Sequence, residues 1–168
     1  MRLFIAVRFP ENITKALSDT MTDLRSQGAG GNFSRAENLH LTLAFLGEVR
    51  LPDGVCRAMD KVTVLPMRLE LGGSGSFRDL YWVGFKESPE LTDYVKKLRV
   101  QLKKEEIWFD DKQFNPHITI LRKAKHTENV QIHVRNEAFT AKKISLMRSE
   151  RIEGKLVYTE IYSKEFDC

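Results

Sequence analysis

The sequence is poor in cysteine and has no long apolar run. Its 168 residues include two cysteines, Cys56 and Cys168, which are too few and too far apart for a disulfide framework or a zinc site. The apolar run from Leu3 to Val7 is too short for a signal peptide or a membrane span. These absences predict a protein of the reducing cytosol, with a cytoplasmic location and no association with a membrane.

A strong charge of one sign is also absent. The chain has 27 basic and 23 acidic residues, a net charge of +4, which permits a nucleic-acid partner without requiring one.

The glycine-rich stretch 28–31 is not followed by Lys-Ser or Lys-Thr, so it is not a nucleotide-binding loop and is predicted to be flexible. The length fits one domain, or two tightly packed lobes, with a sizeable core.

One short pattern, Asn-x-His-apolar-Thr-apolar, occurs twice, at residues 38–43 and 115–120. Each copy lies in an apolar run and predicts a strand, in which side chains alternate between the two faces. The residues that share the polar faces are His40 with Thr42, and His117 with Thr119. The opposite faces are predicted to be buried by Leu41, Leu43, Phe45, Ile118 and Ile120.

The sequence around the two motifs repeats as well. Each motif follows an apolar strand, a Pro-Glu pair, an amphipathic helix and a polar loop, and the pairs begin at Pro10 and Pro89. This order predicts a duplicated strand–helix–strand unit, at about 2–47 and 80–122, within a single domain of two interleaved lobes. The motifs would then face each other across a cleft between the lobes.

Two imidazoles at one cleft suit general acid–base catalysis, because an ordinary histidine pKa of about 6.5 lets one ring accept a proton while the other donates one. The hydroxyls of Thr42 and Thr119 can donate hydrogen bonds to an anionic oxygen. Arg122 would face away from His117 by strict alternation, unless the strand ends or bulges after Ile120. If Arg122 faces the cleft, its guanidinium fits a phosphate.

A zinc site is the competing interpretation of paired histidines. The sequence has no His-x-His, no helical His pair with Glu, and no cysteine near either motif. His126 and His133 lie in a polar stretch and are predicted to be exposed loop residues. We therefore predict no metal and no other cofactor.

The remaining periodicity predicts a mixture of helices and strands. Helices are expected at 10–28, 55–62 and 88–102, and strands at 3–9, 67–71, 80–85, 139–151 and 155–166, the last two forming a hairpin around Glu153-Gly154. No element is predicted at 123–136.

The glycines at 72–75 favour a bulge or a hairpin loop over a close approach to a ligand. Tyr81 and Trp82 point to opposite faces, so at most one can stack on a base.

The paired motifs resemble those of the two-histidine (2H) phosphoesterase superfamily. The strings ENLHLTLAFLGEV and FNPHITILR are similar to its branch of RNA 2',3'-cyclic phosphodiesterases, also described as 2'-5' RNA ligases of the LigT type. The opening MRLFIAVRFP and the tail SLMRSERIEGKLVYTEIY are similar too, so the resemblance covers nearly the whole chain. Phe33-Ser34 and Ile120-Leu121 depart from the common pattern, which affects substrate detail and not reaction class.

The resemblance implies an α+β, bilobal, pseudo-two-fold fold of two antiparallel sheets with outer helices and a central cleft. It implies His40 as proton donor and His117 as proton acceptor, with Thr42, Thr119 and Arg122 binding the phosphate. The implied reaction is metal-independent opening of an RNA 2',3'-cyclic phosphate end to a 2'-phosphate, and its reversal would give the ligase activity. The implied partner is such an RNA or oligonucleotide, with no obligate protein partner.

Two other functions remain open at this point. Another 2H enzyme could act on a small cyclic nucleotide or on a 2'-5' linkage. A non-catalytic RNA-binding module is the alternative from a different class, although lysine or arginine would serve phosphate binding better than paired histidines.

Overall fold

Nine strands and three α-helices make up the part of the chain that the structure, a computed structural model, describes: residues 1–63 and 65–166. Cys168 lies outside these residues. A 3₁₀ turn covers Ala36–Asn38. The other elements are β1 (Arg2–Arg8), α1 (Glu11–Ser26), β2 (Gly30–Phe33), β3 (His40–Glu48), α2 (Asp53–Asp60), β4 (Met67–Phe77), β5 (Leu80–Phe85), α3 (Pro89–Lys104), β6 (His117–Lys125), β7 (Ala138–Ala141), β8 (Lys143–Ile152) and β9 (Lys155–Glu165).

The strands form two antiparallel sheets. The first sheet, sheet A, has the order β3-β1-β8-β9, and the second, sheet B, has the order β2-β6-β5-β4-β7. Each sheet therefore contains one motif strand, β3 in sheet A and β6 in sheet B. The predicted α+β fold of two antiparallel sheets is confirmed.

Apolar stripes at helical spacing fix the two long helices. One face of α1 is buried along Ile13, Ala16, Leu17, Met21 and Leu24. The start of α3 is capped by Ser88, whose hydroxyl accepts a hydrogen bond from the Leu91 backbone N–H at 3.3 Å.

Among the helices that the structure describes, none is long and apolar enough to cross a membrane.

Each long helix follows a strand of one sheet but packs on the other sheet. Helix α1 follows β1 of sheet A, but its apolar stripe packs with Val83, Ile118 and Ile120 of sheet B. Helix α3 follows β5 of sheet B, and its stripe packs with Ile5 and Leu41 of sheet A. Because His40 and His117 alternate with these core residues, the helices cover the faces opposite the motif side chains.

The sequence prediction of one strand over 139–151 is wrong. The chain forms β7 and β8 instead, which lie in different sheets on either side of Lys142. The Lys142 carbonyl accepts a hydrogen bond from the Phe166 N–H at 2.7 Å, where the chain crosses between the sheets. Alternation of apolar residues cannot reveal such a crossing, because the same period continues through it.

The first glycine stretch is also more ordered than predicted, because Gly30 and Gly31 belong to β2, in which Gly30 pairs with Lys125 of β6. Gly31 has φ +128°, and a Cβ atom there would lie 2.6 Å from the Lys123 carbonyl oxygen. The second glycine stretch lies within β4, with a break in pairing register between Leu71 and Ser74. This agrees with the predicted bulge.

The polar stretch after the second motif is mostly irregular, as predicted. Strand β6 ends at Lys125, and no helix or strand occurs among the described residues 126–137. His126 and His133 are both exposed. The Nδ1 atom of His133 lies 2.9 Å from an Asp23 carboxylate oxygen, which ties this stretch to α1.

The duplicated unit at 2–47 and 80–122 stays a prediction. In each of these stretches the structure has a strand, a helix and a motif strand that pairs antiparallel with the first, β1 with β3 and β5 with β6. The hairpin of β8 and β9 belongs to neither stretch, yet β8 pairs with β1 and completes sheet A.

We expect Leu98→Ala in α3 to lower the free energy of unfolding by about 2–5 kcal/mol, because truncating a buried leucine loses apolar burial and leaves a cavity. Leu98 is 0% exposed in the core against sheet A. Lys96→Ala, at an exposed position of the same helix, is the matched control and should change stability by no more than about 0.5 kcal/mol. Denaturant titration measures both, and equal effects would contradict the packing.

Candidate active site

A one-residue bulge follows the threonine of the first motif. Ala6 pairs with Thr42 while its neighbour Ile5 pairs with Ala44, so Leu43 is the extra residue. Leu43 and Ala44 are both buried. The bulge reverses the alternation beyond it.

The predicted burial of Phe45 on the core face is therefore wrong. Phe45 is only half-buried and lines the cleft on the same side as His40 and Thr42. Its ring meets that of Trp108 edge-on, with centroids 6.5 Å apart.

The same irregularity follows the threonine of the second motif. Trp82 pairs with Thr119 while Tyr81 pairs with Leu121, so the extra residue in β6 is Ile120. Ile120 and Leu121 are each 0% exposed. The bulge required for Arg122 to face the cleft is therefore present, and Arg122 lines the cleft with both histidines.

The two motif strands border one cleft of about 620 Å³. Its walls come from both sheets, from the turn after β2, from the loop before β6 and from the β8–β9 hairpin. The polar and aromatic side chains that line it include His40, Thr42, Phe45, His117, Thr119, Arg122, Asn32, Ser34, Arg35, Asn38, Arg99, Asp110, Lys112, Gln113, Asn115, Arg151, Lys155 and Tyr158. The structure thus brings together all five predicted catalytic and phosphate-binding residues.

The His40 ring is held at both nitrogens. Its Nδ1 lies 2.7 Å from the Asn38 carbonyl oxygen, and its Nε2 lies 2.9 Å from the Thr42 hydroxyl. A carbonyl can only accept, so Nδ1–H must donate to Asn38. In the neutral ring Nε2 is then the acceptor, and the Thr42 hydroxyl donates to it.

The surroundings of His40 favour its neutral form. The ring stacks at a tilt on Phe4, with centroids 4.8 Å apart, and meets Tyr158 edge-on at 5.2 Å. Burial lowers the pKa of His40 below the usual imidazole value of 6.5, and the charges of Arg122 and His117 lower it further. The hydrogen bond to Asn38 acts in the opposite direction.

His117 is held in the same way but is more exposed. Its Nδ1–H donates to the Asn115 carbonyl at 2.8 Å, again two residues earlier in the chain. In the neutral ring this leaves Nε2 as the basic nitrogen. Its ring lies beside Trp82, with centroids 6.4 Å apart. The two motifs therefore present the same tautomer in different environments, one half-buried and one exposed.

The predicted base-stacking residues do not line the cleft. Tyr81 is half-buried against the core under α1, and Trp82 packs over Gly75 next to His117. Neither side chain is among the described residues at the cleft wall. Base stacking by either residue stays an untested prediction.

Sequence reasoning does not identify the aromatic residues of the cleft, among them Phe45 and Tyr158. The apolar pattern predicts Phe45 in the core because the bulge in β3 leaves no trace in that pattern. Tyr158 lies in β9, more than a hundred residues from His40, and reaches the site only because β8 and β9 join sheet A. Burial raises the pKa of the Tyr158 hydroxyl, so Tyr158 is a neutral hydrogen-bonding group of the cleft.

Among the described residues, no group of three or more His, Cys, Asp or Glu side chains is placed to hold a metal ion. The donors of the cleft are instead imidazole, hydroxyl, amide and guanidinium groups. This set suits an anionic ligand such as a phosphate.

A sequence model described as "LigT like Phosphoesterase" matches residues 7–81 and 83–158. The chain therefore belongs to the LigT-like phosphoesterase family. The predicted family is confirmed, and so, at the level of the family, is the prediction of an enzyme that cleaves phosphodiester bonds.

Individual relatives agree with this assignment. The RNA 2',3'-cyclic phosphodiesterase of Archaeoglobus fulgidus is 34% identical over 142 residues, which cover 79% of this chain and 78% of that protein. The RNA 2',3'-cyclic phosphodiesterase of Thermotoga maritima is 28% identical over 181 residues, covering 100% and 95%. The crystal structure of Escherichia coli LigT complexed with 3'-AMP matches with a TM-score of 0.86 and 26% identity, covering 98% and 96%.

We expect the His40 ring to titrate below pH 6.5 in the free protein, as followed by NMR of its C–H resonances. Inorganic phosphate should raise the midpoint because a bound anion favours imidazolium, and Arg122→Gln should raise it by removing a nearby positive charge. The pKa of His40 is lower in the folded protein than in the unfolded chain. Its contribution to the free energy of unfolding is therefore fully present above pH 6.5 and is lost as the pH falls through the folded-state pKa. A midpoint at or above 6.5 would contradict the assigned burial.

Proposed function

We propose that the protein hydrolyses 2',3'-cyclic phosphate ends of RNA to 2'-phosphates by metal-independent acid–base catalysis. The observation that carries this proposal is the pair of histidines at one cleft, each with Nδ1–H donated to a backbone carbonyl. That anchoring leaves Nε2 of each ring for proton transfer. The names of the relatives from Archaeoglobus fulgidus and Thermotoga maritima support the choice of substrate.

The reaction is an in-line displacement at phosphorus. His117 accepts a proton from water as the water oxygen attacks, the bond from phosphorus to the ribose 3'-oxygen breaks, and His40 donates a proton to that departing oxygen. The product keeps its phosphate on the 2'-oxygen, and water supplies the added hydroxide and proton. With a hydroxyl group of a second RNA in place of water, the same displacement would form a bond from phosphorus to that oxygen while the bond to the 3'-oxygen breaks, which is the ligase activity.

The different environments of the two rings bear on their roles. His40 must be protonated to act as the acid, although burial and the charges of Arg122 and His117 lower its pKa in the free protein. A bound phosphate is anionic and partly cancels the Arg122 charge, so substrate itself favours the protonated form. His117 is the more exposed ring, which suits the residue that takes a proton from water.

Arg122 and the two threonines are proposed to hold the non-bridging phosphate oxygens. Preformed donors stabilise the charge that develops on these oxygens in the transition state. Arg122 reaches the cleft through the bulge in β6, and its positive charge acts on His40. The Thr42 hydroxyl can turn from His40 Nε2 to the phosphate when His40 becomes protonated.

Several features of the substrate and the setting also belong to the proposal. Phe45 and Tyr158 offer aromatic surface to the nucleoside at the cleft, while Tyr81 and Trp82 remain untested stacking candidates. The interleaved lobes act as one domain, and no obligate protein partner is required. The cytoplasmic location expected from the cysteine count stays a prediction.

We expect His40→Ala and His117→Ala each to reduce kcat by at least about 10²–10⁴-fold, the usual contribution of a general acid or base. The assay follows opening of an oligonucleotide 2',3'-cyclic phosphate in the presence of EDTA. His133→Ala, in the exposed stretch after β6, is the matched control and should turn over normally. EDTA-sensitive activity restored by zinc or magnesium would contradict the mechanism, as would normal turnover by either motif variant with an intact fold.

Thr42→Val and Thr119→Val should be milder, each reducing kcat/KM by roughly 10–150-fold, which corresponds to about 1.5–3 kcal/mol for a hydrogen bond to a charged group. Thr140→Val, at an exposed position of β7, keeps the same change of side chain away from the cleft. Steady-state kinetics with the same substrate measures all three. If the motif variants match the Thr140→Val control, the motif threonines do not contact the phosphate.

A further inference from the structure

A second compartment of about 480 Å³ adjoins the cleft above sheet A. It shares His40, Thr42 and Arg122 with the cleft described above, and extends from them toward Arg2 on β1 and Arg151 on β8. The mechanism proposed above uses Arg122 but neither Arg2 nor Arg151. The compartment therefore contains two guanidinium groups without an assigned role.

These arginines are not neutralised by neighbouring carboxylates. Among the described residues, Arg2, Arg122 and Arg151 form no ion pair, and the Arg2 guanidinium lies 4.9 Å from the centre of the Phe45 ring. The one acidic side chain that lines the compartment, Glu150, forms an ion pair with Arg148. The net charge facing the compartment is therefore strongly positive.

The three arginines line one compartment together with Tyr158. Tyr158 lines the compartment, and burial raises the pKa of its hydroxyl. Arg2, Arg122 and Arg151 line the same compartment, and their charges oppose that rise. An anion in this compartment would therefore be attracted by three positive charges.

The positive charge exceeds what one cyclic phosphodiester needs. That group carries a single negative charge, for which one arginine and the motif side chains suffice. Several other basic side chains of the cleft already have partners. Arg35 forms an ion pair with Glu37, and Lys112 forms one with Asp110. Arg99 donates to the backbone carbonyls of Asp111 and Lys112, so these groups are less available to a second phosphate. On an RNA end, the other phosphate of the terminal nucleotide is the one on its 5'-oxygen.

We propose that Arg2 and Arg151, with Tyr158 between them, bind the phosphate on the 5'-oxygen of the nucleotide whose cyclic phosphate is opened. This inference rests on the proposed function and specifies its substrate class as nucleotides with a 5'-phosphate. The group is a phosphodiester in an RNA chain and a phosphomonoester in a free nucleotide. The RNA chain then leaves the site over the β8–β9 side of the cleft.

The test compares three substrates: adenosine 2',3'-cyclic phosphate, its 5'-phosphorylated form, and a dinucleotide that ends in the same cyclic phosphate. We expect both substrates with a 5'-phosphate to have the higher kcat/KM. Arg151→Gln and Arg2→Gln should each reduce that preference about tenfold or more, as expected for loss of a charge-assisted hydrogen bond, mainly through KM. Preference for the phosphomonoester alone would assign the site to free nucleotides.

Arg68→Gln removes the same charge from an exposed site on β4, outside both compartments, and should leave the preference unchanged. Calorimetry tests the same point without turnover, by comparing 3'-AMP with adenosine 3',5'-bisphosphate. The bisphosphate should bind more tightly to the wild type, and Arg151→Gln should remove most of that difference.

The outcomes separate this inference from the proposed function. If all three cyclic phosphates are inert but the bisphosphate shows its Arg151-dependent gain, the proposed function fails and the phosphate site stands. If the cyclic phosphates are opened with no preference for a 5'-phosphate, the inference fails and the proposed function stands. Equal loss on all three substrates in Arg151→Gln would also overturn the inference, since the arginine would then act at the cyclic phosphate.

Discussion

The site depends on a one-residue bulge that follows each motif threonine. Without the bulge in β6, strict alternation would direct Arg122 toward the core occupied by Ile118 and Ile120, where an unpaired guanidinium would be very costly. The corresponding bulge in β3 turns Phe45 toward the cleft in the same manner. Each motif thus contributes a histidine, a threonine and the side chain three residues after the threonine. That third side chain is the aromatic Phe45 in one half and the charged Arg122 in the other.

This difference makes a site with two similar halves electrostatically unequal. Both histidines donate Nδ1–H to a carbonyl two residues earlier, so the backbone fixes the same tautomer twice. His40 is packed between Phe4 and Tyr158, and burial lowers its pKa, whereas His117 is exposed. The proposed acid and base roles require two groups that respond differently to the same substrate, and unequal burial is a source of that difference.

The packing of each long helix on the opposite sheet explains how the two sheets are held together around the cleft. Helix α1 follows a strand of sheet A and packs under sheet B, while α3 follows a strand of sheet B and packs under sheet A. Separating the two motif strands would therefore require apolar stripes to leave their cores, at a cost of about 0.8 kcal/mol for each CH₂ group exposed. The geometry of the cleft is thus supported by the main hydrophobic cores rather than by loops.

The sequence by itself determined the two motif strands, the long helices and the residue types of the site. Local patterns carry these features: alternation around His40 and His117, apolar stripes along α1 and α3, and the Ser88 cap. It also determined the family, because the paired motifs with their flanks are specific. Only the tertiary structure decided that Arg122 and Phe45 face the cleft, that residues 138–152 divide between two sheets, and that Tyr158 and Arg151 reach the site. Bulges and sheet crossings are set by pairing with distant strands, and such pairing leaves no periodic trace in the residues that it displaces.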